Sequence, residues 1–274
     1  MSGTFELTIR PRKGWQAVDL KEAYLYSELL LFLIWRDIKI RYRQTLLGGL
    51  WAVLQPFMAM VIFAFVFNRL AHVQSDGPPY NLFAFAGLAP WTFFSTAVTQ
   101  SSNSLLANTQ LVSKIYFPRI FIPLGAIFAL VVDLVLSLGM LAALMIYYRW
   151  ALTSAVVWLP LFLVSAVLAA AGSGLVLSAL NVRFRDVKYA VPFMIQMGLF
   201  VTPVIYPVHY VPARWQLLMG LNPMTGVVIG FRHALLGTPI SWDVVGVSLA
   251  TCVLLFVVGL FIFRRLETEF ADIL

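Results

Sequence analysis

Six stretches of the chain carry almost nothing but apolar side chains, and the polar residues collect between them. Their limits are Leu50–Phe67, Asn81–Gln100, Phe121–Tyr148, Val156–Leu180, Ala190–Tyr206 and Val244–Phe263. Each approaches or exceeds the ~20 residues that a helix needs to cross bilayer hydrocarbon, the fifth being the shortest. In lipid an unpaired backbone N–H or C=O is so costly that such spans must close their hydrogen bonds internally, as helices. A different period precedes the first span. Taken at 100° per residue, Leu31, Ile34, Trp35, Ile38, Tyr42 and Thr45 fall on one side, and Arg36, Lys39 and Arg43 on the other; Leu33 and Ile40 interrupt the pattern. This predicts an amphipathic helix in the membrane–water boundary over residues 31–49, with a bend allowed at Gly48-Gly49. Two readings of it stay open: a snorkelling basic flank that only fixes orientation, or a surface that docks a cytoplasmic partner. The chain then divides into a cytoplasmic segment 1–30, the boundary helix 31–49 and one six-span domain, 50–274.

The connections carry their own signals. Asp76-Gly77-Pro78-Pro79 reads as a turn, and Gly87 with Pro90 predicts a kink in the second span. Ser101-Ser102-Asn103-Ser104 reads as the cap of a short helix that ends before Pro118. Asn181 to Tyr189 is a compact basic loop. Between Pro207 and Asp243 lie two apolar pieces, Trp215–Leu221 and Met224–Leu236, too short to span. They predict two short re-entrant helices on the outer side, the second capped by Asn222 with Pro223 at its first position.

Composition agrees with the pattern. The chain of 274 residues is 61% hydrophobic and 11% charged, where a soluble domain carries about 25% charged residues. The fold class is therefore all-α integral membrane. Of the 19 Lys and Arg, 15 fall before the first span, in the 101–120 and 181–189 loops or after the last span; Arg69, Arg149, Arg214 and Arg232 fall on the other side. By the positive-inside rule both termini are cytoplasmic, and the net charge of +7 is explained without nucleic acid. No cleavable leader is evident, since the first apolar run, Leu29–Trp35, is stopped by Arg36. Cys252 is the lone cysteine, and no Cys/His spacing resembles a metal site.

Little in the chain points to catalysis. No Gly-Lys pair occurs, so the phosphate-binding loop G-x-x-x-x-G-K-[ST] is absent. The three histidines, His72, His209 and His233, all belong to outer connections, and no span holds paired carboxylates, as an enzyme acting on lipid-linked sugars would require. A transporter driven by an ion gradient predicts internal repeats and a paired mid-membrane site, and neither is seen. Asp133 is the one ionisable residue well inside a span, with no partner in view; it is either a functional polar site or a hydrogen-bonded packing residue near Ser137. Aromatic rows mark the first two spans: Phe57, Val61 and Phe65 in one, and Phe83, Gly87, Trp91 and Phe94 in the other. Such rows either pack against helices and lipid or line a route in which sugar rings stack.

Four blocks together resemble one family. They are Trp35-Arg36-Asp37 through Arg41-Tyr42-Arg43-Gln44-Thr45-Leu46-Leu47-Gly48 to Trp51 and Gln55-Pro56; Lys114-Ile115-Tyr116-Phe117-Pro118-Arg119; Asn181–Tyr189 with Thr202-Pro203-Val204-Ile205-Tyr206-Pro207; and Leu221-Asn222-Pro223-Met224 with Phe231-Arg232. In this order, from about residue 25 onward, they resemble the permease subunits of ABC polysaccharide exporters, the Wzm-type O-antigen permeases and related capsule and teichoic-acid permeases. The resemblance implies a homodimer in the bacterial inner membrane that passes a polyprenyl-linked polysaccharide. It implies two copies of a separate ATPase subunit that hold ATP and Mg, with no cofactor on this chain. It places Arg36, Lys39, Arg43, Ser104, Gln110 and Lys114 against the ATPase, and Phe57, Phe65, Phe83, Trp91 and Phe94 along the channel.

Overall fold

The computed structural model describes residues 26–43, 48–72, 75, 77–114, 117–184 and 186–270. Residues 1–25, and with them most of the expected N-terminal segment, lie outside this set, as do 44–47 in the expected boundary helix. The described residues form helices and connections. Helix α1 is Ser27–Tyr42; α2, Leu50–Phe63, runs on through a π-helical end, Ala64–Leu70; α3 is Tyr80–Ala107 and α4 Thr109–Lys114. Next come α5, Phe121–Ala129, and α6, Val131–Tyr147; then a 3₁₀ turn, Ser154–Trp158, leads into α7, Leu159–Arg183. Helices α8, Val187–Val201, α9, Ala213–Met219, α10, Pro223–Leu236, and α11, Trp242–Glu267, complete the chain.

Among the described residues, five helical segments are long and apolar enough to cross a membrane: Leu50–Leu70, Tyr80–Ala107, Phe121–Tyr147, Ser154–Arg183 and Trp242–Glu267. The expected fifth span is α8, whose 15 residues reach about 22 Å at 1.5 Å per residue, short of a ~30 Å core. The third segment is broken at Leu130, which has φ −81° and ψ −10° and donates its N–H to Ile127 O at 3.1 Å, closing a tighter turn than an α-helix.

Burial separates the segments. In the most apolar window of α3, 78% of positions are buried, against 11% in α2, so α3 is central and α2 peripheral. Helices α3, α7, α10 and α11 pack on one another, with α7 and α11 closest. Two apolar clusters result. The larger joins α3, α6, α7 and α10 through Phe83, Phe85, Leu141, Phe162, Val228 and Phe231. The smaller lies at one end and joins Leu33, Leu105, Val112, Phe117, Phe263 and Phe270.

One local expectation changes. Ser101–Ser104 do not begin a helix; they lie inside α3, which continues to Ala107. The Ser102 and Ser104 hydroxyls bond back along the helix, to Thr99 O at 2.8 Å and to Ser101 O at 2.7 Å. A hydroxyl satisfied in this way needs no helix terminus.

Candidate functional site

The Lys/Arg-rich connections meet at one end of the bundle. Helix α1 is held there by Leu33, 2% exposed, which packs over Gly125 of α5. Helix α4 is held by Val112 in the same apolar cluster. Arg119, following α4, donates its backbone N–H to Glu267 Oε1 at 3.1 Å and its Nη1 to Glu267 O at 2.8 Å, while Arg264 Nη1 reaches Glu267 Oε2 at 3.0 Å. These bonds tie the connection after α4 to the end of α11. Of the six residues expected to meet an ATPase, Lys39, Arg43, Gln110 and Lys114 are exposed at this end. Arg36 is half-buried and paired with Asp37 at 2.8 Å. Ser104 is 6% exposed, inside the bundle.

Asp133 has partners that the sequence reading did not assign. It is 8% exposed, and its Oδ2 lies 2.6 Å from Arg41 Nη2, while Oδ1 accepts the Tyr42 hydroxyl. Burial, and after it the hydrogen bond to Asp133, push the Tyr42 phenol up to about 12, so it remains the donor at physiological pH. An acid inside a span asks to be paired, but nothing local in the sequence places Arg41 and Tyr42 beside it. One turn along α6, Ser137 donates to Ala52 O of α2 at 3.1 Å.

The aromatic row of α3 lies along a seam with neighbouring helices. Trp91 is 6% exposed and its ring edge abuts Gly198 of α8, where a Cβ would sit 3.0 Å away. Phe94 is half-buried, its ring centre 5.7 Å from that of Trp91. Phe57 of α2 is half-buried against the main core, and Phe65, in the π-helical end, is 56% exposed.

At the opposite end, α10 is wedged into the bundle. Asn222 caps it, accepting from Met224 N at 3.0 Å, Pro223 starts it, and Gly237 at φ 71° ends it. Arg232, 3% exposed, donates to Phe83 O at 3.1 Å, to Pro203 O at 2.6 Å and to Val204 O, and lies 3.5 Å over the Phe83 ring. Gly87 makes room for it, since a Cβ there would come within 2.5 Å of Arg232 Nη2. Beside Arg232 is a cleft of about 210 Å³, floored by Phe83, Pro207, Val208 and Ile229. Among the described residues no three of His, Cys, Asp and Glu gather closely enough to hold a metal ion.

The geometry therefore offers a basic end, an aromatic seam and a wedged helix opposite. Comparison with known proteins gives these a common setting. O-antigen export system permease proteins RfbA of Klebsiella pneumoniae and of Myxococcus xanthus are each 30% identical to the chain, over 252 and 261 residues; 92% of this chain is covered in both, with 96% and 98% of theirs. The polysialic acid transport protein KpsM of Escherichia coli is 25% identical over 240 residues, covering 83% of this chain and 87% of its own. The family model of ABC-2 type transporters matches residues 28–236. The chain is a multi-pass membrane permease and belongs to the ABC-2 type transporter family.

Proposed function

We propose that two copies of this chain form the channel of an exporter that moves a polyprenyl-linked polysaccharide of the O-antigen class out of the cytoplasm. The work comes from a separate ATPase, two subunits bound at the basic end, which hold ATP and Mg. The observation that carries this reading is 30% identity to O-antigen export permeases over 92% of the chain. The basic end then faces the cytoplasm, where Lys and Arg collect. Lys39, Arg43, Gln110 and Lys114 supply the exposed part of the docking surface, with Arg36 at its margin.

In this reading α8 is the fifth of six crossings, and α9 and α10 form the outer re-entrant pair that shapes the exit. Moving α8 away from α3 would uncover Trp91 and Phe94, giving a hydrated polymer flat apolar faces on which sugar rings stack without fixing one sugar identity. Phe57 and Phe65 extend that wall, while Phe83 stands behind it, buried with the Arg232 guanidinium over its ring. The likeness to the polysialic acid transporter favours a second cargo, a capsular polysaccharide, through the same machinery.

The test is co-expression of the chain with a candidate ABC ATPase subunit from the same genome. The complex should co-purify and hydrolyse ATP, and cells should place polymer on their surface only when both subunits are present. Export by the chain alone, or ATP hydrolysis by the chain alone, would overturn the proposal. Which polymer accumulates inside cells lacking the chain separates O-antigen from capsule.

A further inference from the structure

Helix α1 lies across a break. Its Leu33 packs on Gly125 in α5, and eight positions later Arg41 pairs with Asp133, eight positions beyond Gly125 in α6. The two helices run side by side in the same direction, and the break at Leu130 falls between the two contacts. On α6, Asp133 and Ser137 lie one turn apart on one face. The first holds the end of α1, and the second holds the start of α2 through Ala52 O. Gly49, just ahead of α2, sits against both Tyr42 and Leu136; a Cβ there would lie 3.4 Å and 3.1 Å from their side chains. The end of α1 and the start of α2 are thus both clamped to α6.

We propose that the Arg41–Asp133–Tyr42 contact is the strut through which movement of α1 reaches the outer part of the third span. Helix α1 grips both sides of the Leu130 break, so tilting α1 changes the angle between α5 and α6. Asp133 lies about 21 Å, 14 residues, from the Tyr147 end of α6. A small rotation at the strut therefore becomes a larger sideways displacement at that end. A carboxylate shared between a guanidinium and a phenol makes short, directional contacts, and with Asp133 buried and Arg41 half-buried it is screened less than a surface pair. Apolar contacts such as Leu33 on Gly125 slide; this one pulls. The inference deepens the reading above, because it needs a partner ATPase that bears on α1.

The experiment uses the permease with its ATPase and measures two quantities, ATP turnover of the purified complex and polymer delivered to the cell surface. Arg41→Ala and Asp133→Ala should still bind the ATPase and hydrolyse ATP within about twofold of wild type, while polymer exported per ATP falls about tenfold, the loss of one charge-assisted contact. The exchange Arg41→Asp with Asp133→Arg should recover most of the ratio. Variants that export normally per ATP would overturn the strut. If the alanine variants fail to fold, Tyr42→Phe decides: it keeps the ring and removes only the hydroxyl, and an unchanged ratio overturns the proposal. A wild-type chain that binds no ATPase would remove the underlying reading before any variant is made.

Discussion

A methyl group on Gly172 would sit 2.7 Å from the backbone of Leu255 and Phe256. Backbone cannot swing aside as a side-chain tip can, so α7 and α11 would have to separate where they lie closest. Overpacking of this kind costs about 1–3 kcal/mol, more than the ~1 kcal/mol that alanine gains over glycine in a helix. Gly172→Ala should lower the detergent melting temperature of the purified protein. Gly139→Ala is the control: nothing lies within 4 Å of a Cβ there, so the melting temperature should hold or rise. Equal shifts in the two variants would mean that α7 and α11 part freely. Arg232 poses the complementary test. Its forked guanidinium reaches carbonyls on α3 and on the turn after α8, and a lysine ammonium cannot span that set. Arg232→Lys should lower stability by about 1.5–3 kcal/mol, the usual weight of a hydrogen bond to a charged group, read in the same melting experiment. At this scale the sequence was informative about residue type and less so about direction. Leu33 breaks the apolar stripe of α1, yet it is the buried residue, while Leu31 and Trp35 of the stripe are 65% and 62% exposed. The reason is physical: lipid is as apolar as a protein core, so periodicity in this chain marks what avoids water without saying which side meets protein.

Among the elements, α10 was the most legible from sequence, because its ends are set by local chemistry. Asn222, Pro223 and the closing Gly237 act within one turn, and the helix forms where they place it. The cap also reaches beyond its own helix, since Asn222 Nδ2 donates to Thr202 Oγ1 at 2.8 Å. Asn222→Ala should therefore destabilise the fold by about 0.5–2 kcal/mol through the lost cap. Asn222→Asp, which keeps an acceptor for Met224 N, should recover part of it. Identical melting temperatures for both variants would mean that the cap contributes nothing. The Ser101–Ser104 stretch shows the opposite case. Four small polar residues in a row carry the composition of a helix start, but Asn181 of α7 donates to Ser102 O at 2.8 Å and to Asn103 Oδ1 at 3.2 Å. That cross-helix contact makes the stretch a polar patch inside two packed helices. Its meaning depends on α7, 78 or 79 positions away, and no local pattern carries that information. The tie between Asp133 and Arg41 was hidden for the same reason.

At the scale of the whole molecule the open quantity is the number of crossings. Five segments are long enough, and α8 is not, yet the ends of the bundle fix what α8 has to do. Arg183, at the end of α7, pairs with Glu269 just past α11, so α7 and α11 finish at the same end. Trp158, ahead of α7, meets Trp242, the first residue of α11, edge to face, so both also start together at the other end. The chain between them must therefore return once, and α8 followed by the Thr202–Pro207 turn is the stretch that makes the return. A helix of about 22 Å leaves a mismatch of several ångströms, which local thinning of the bilayer and the flanking polar residues absorb at modest cost. Labelling can test the return. In a Cys252→Ala background, Lys188→Cys and His209→Cys bracket the crossing and are both exposed. An impermeant thiol reagent applied to intact spheroplasts should label His209→Cys and leave Lys188→Cys unmodified until the membrane is opened. If both sites react from the same side, α8 lies in the boundary, the chain crosses five times, and its two termini stand on opposite faces of the membrane. A cytoplasmic ATPase could then not bear on α1 and the end of α11 together, so this one labelling pattern decides whether the basic end works as a single surface.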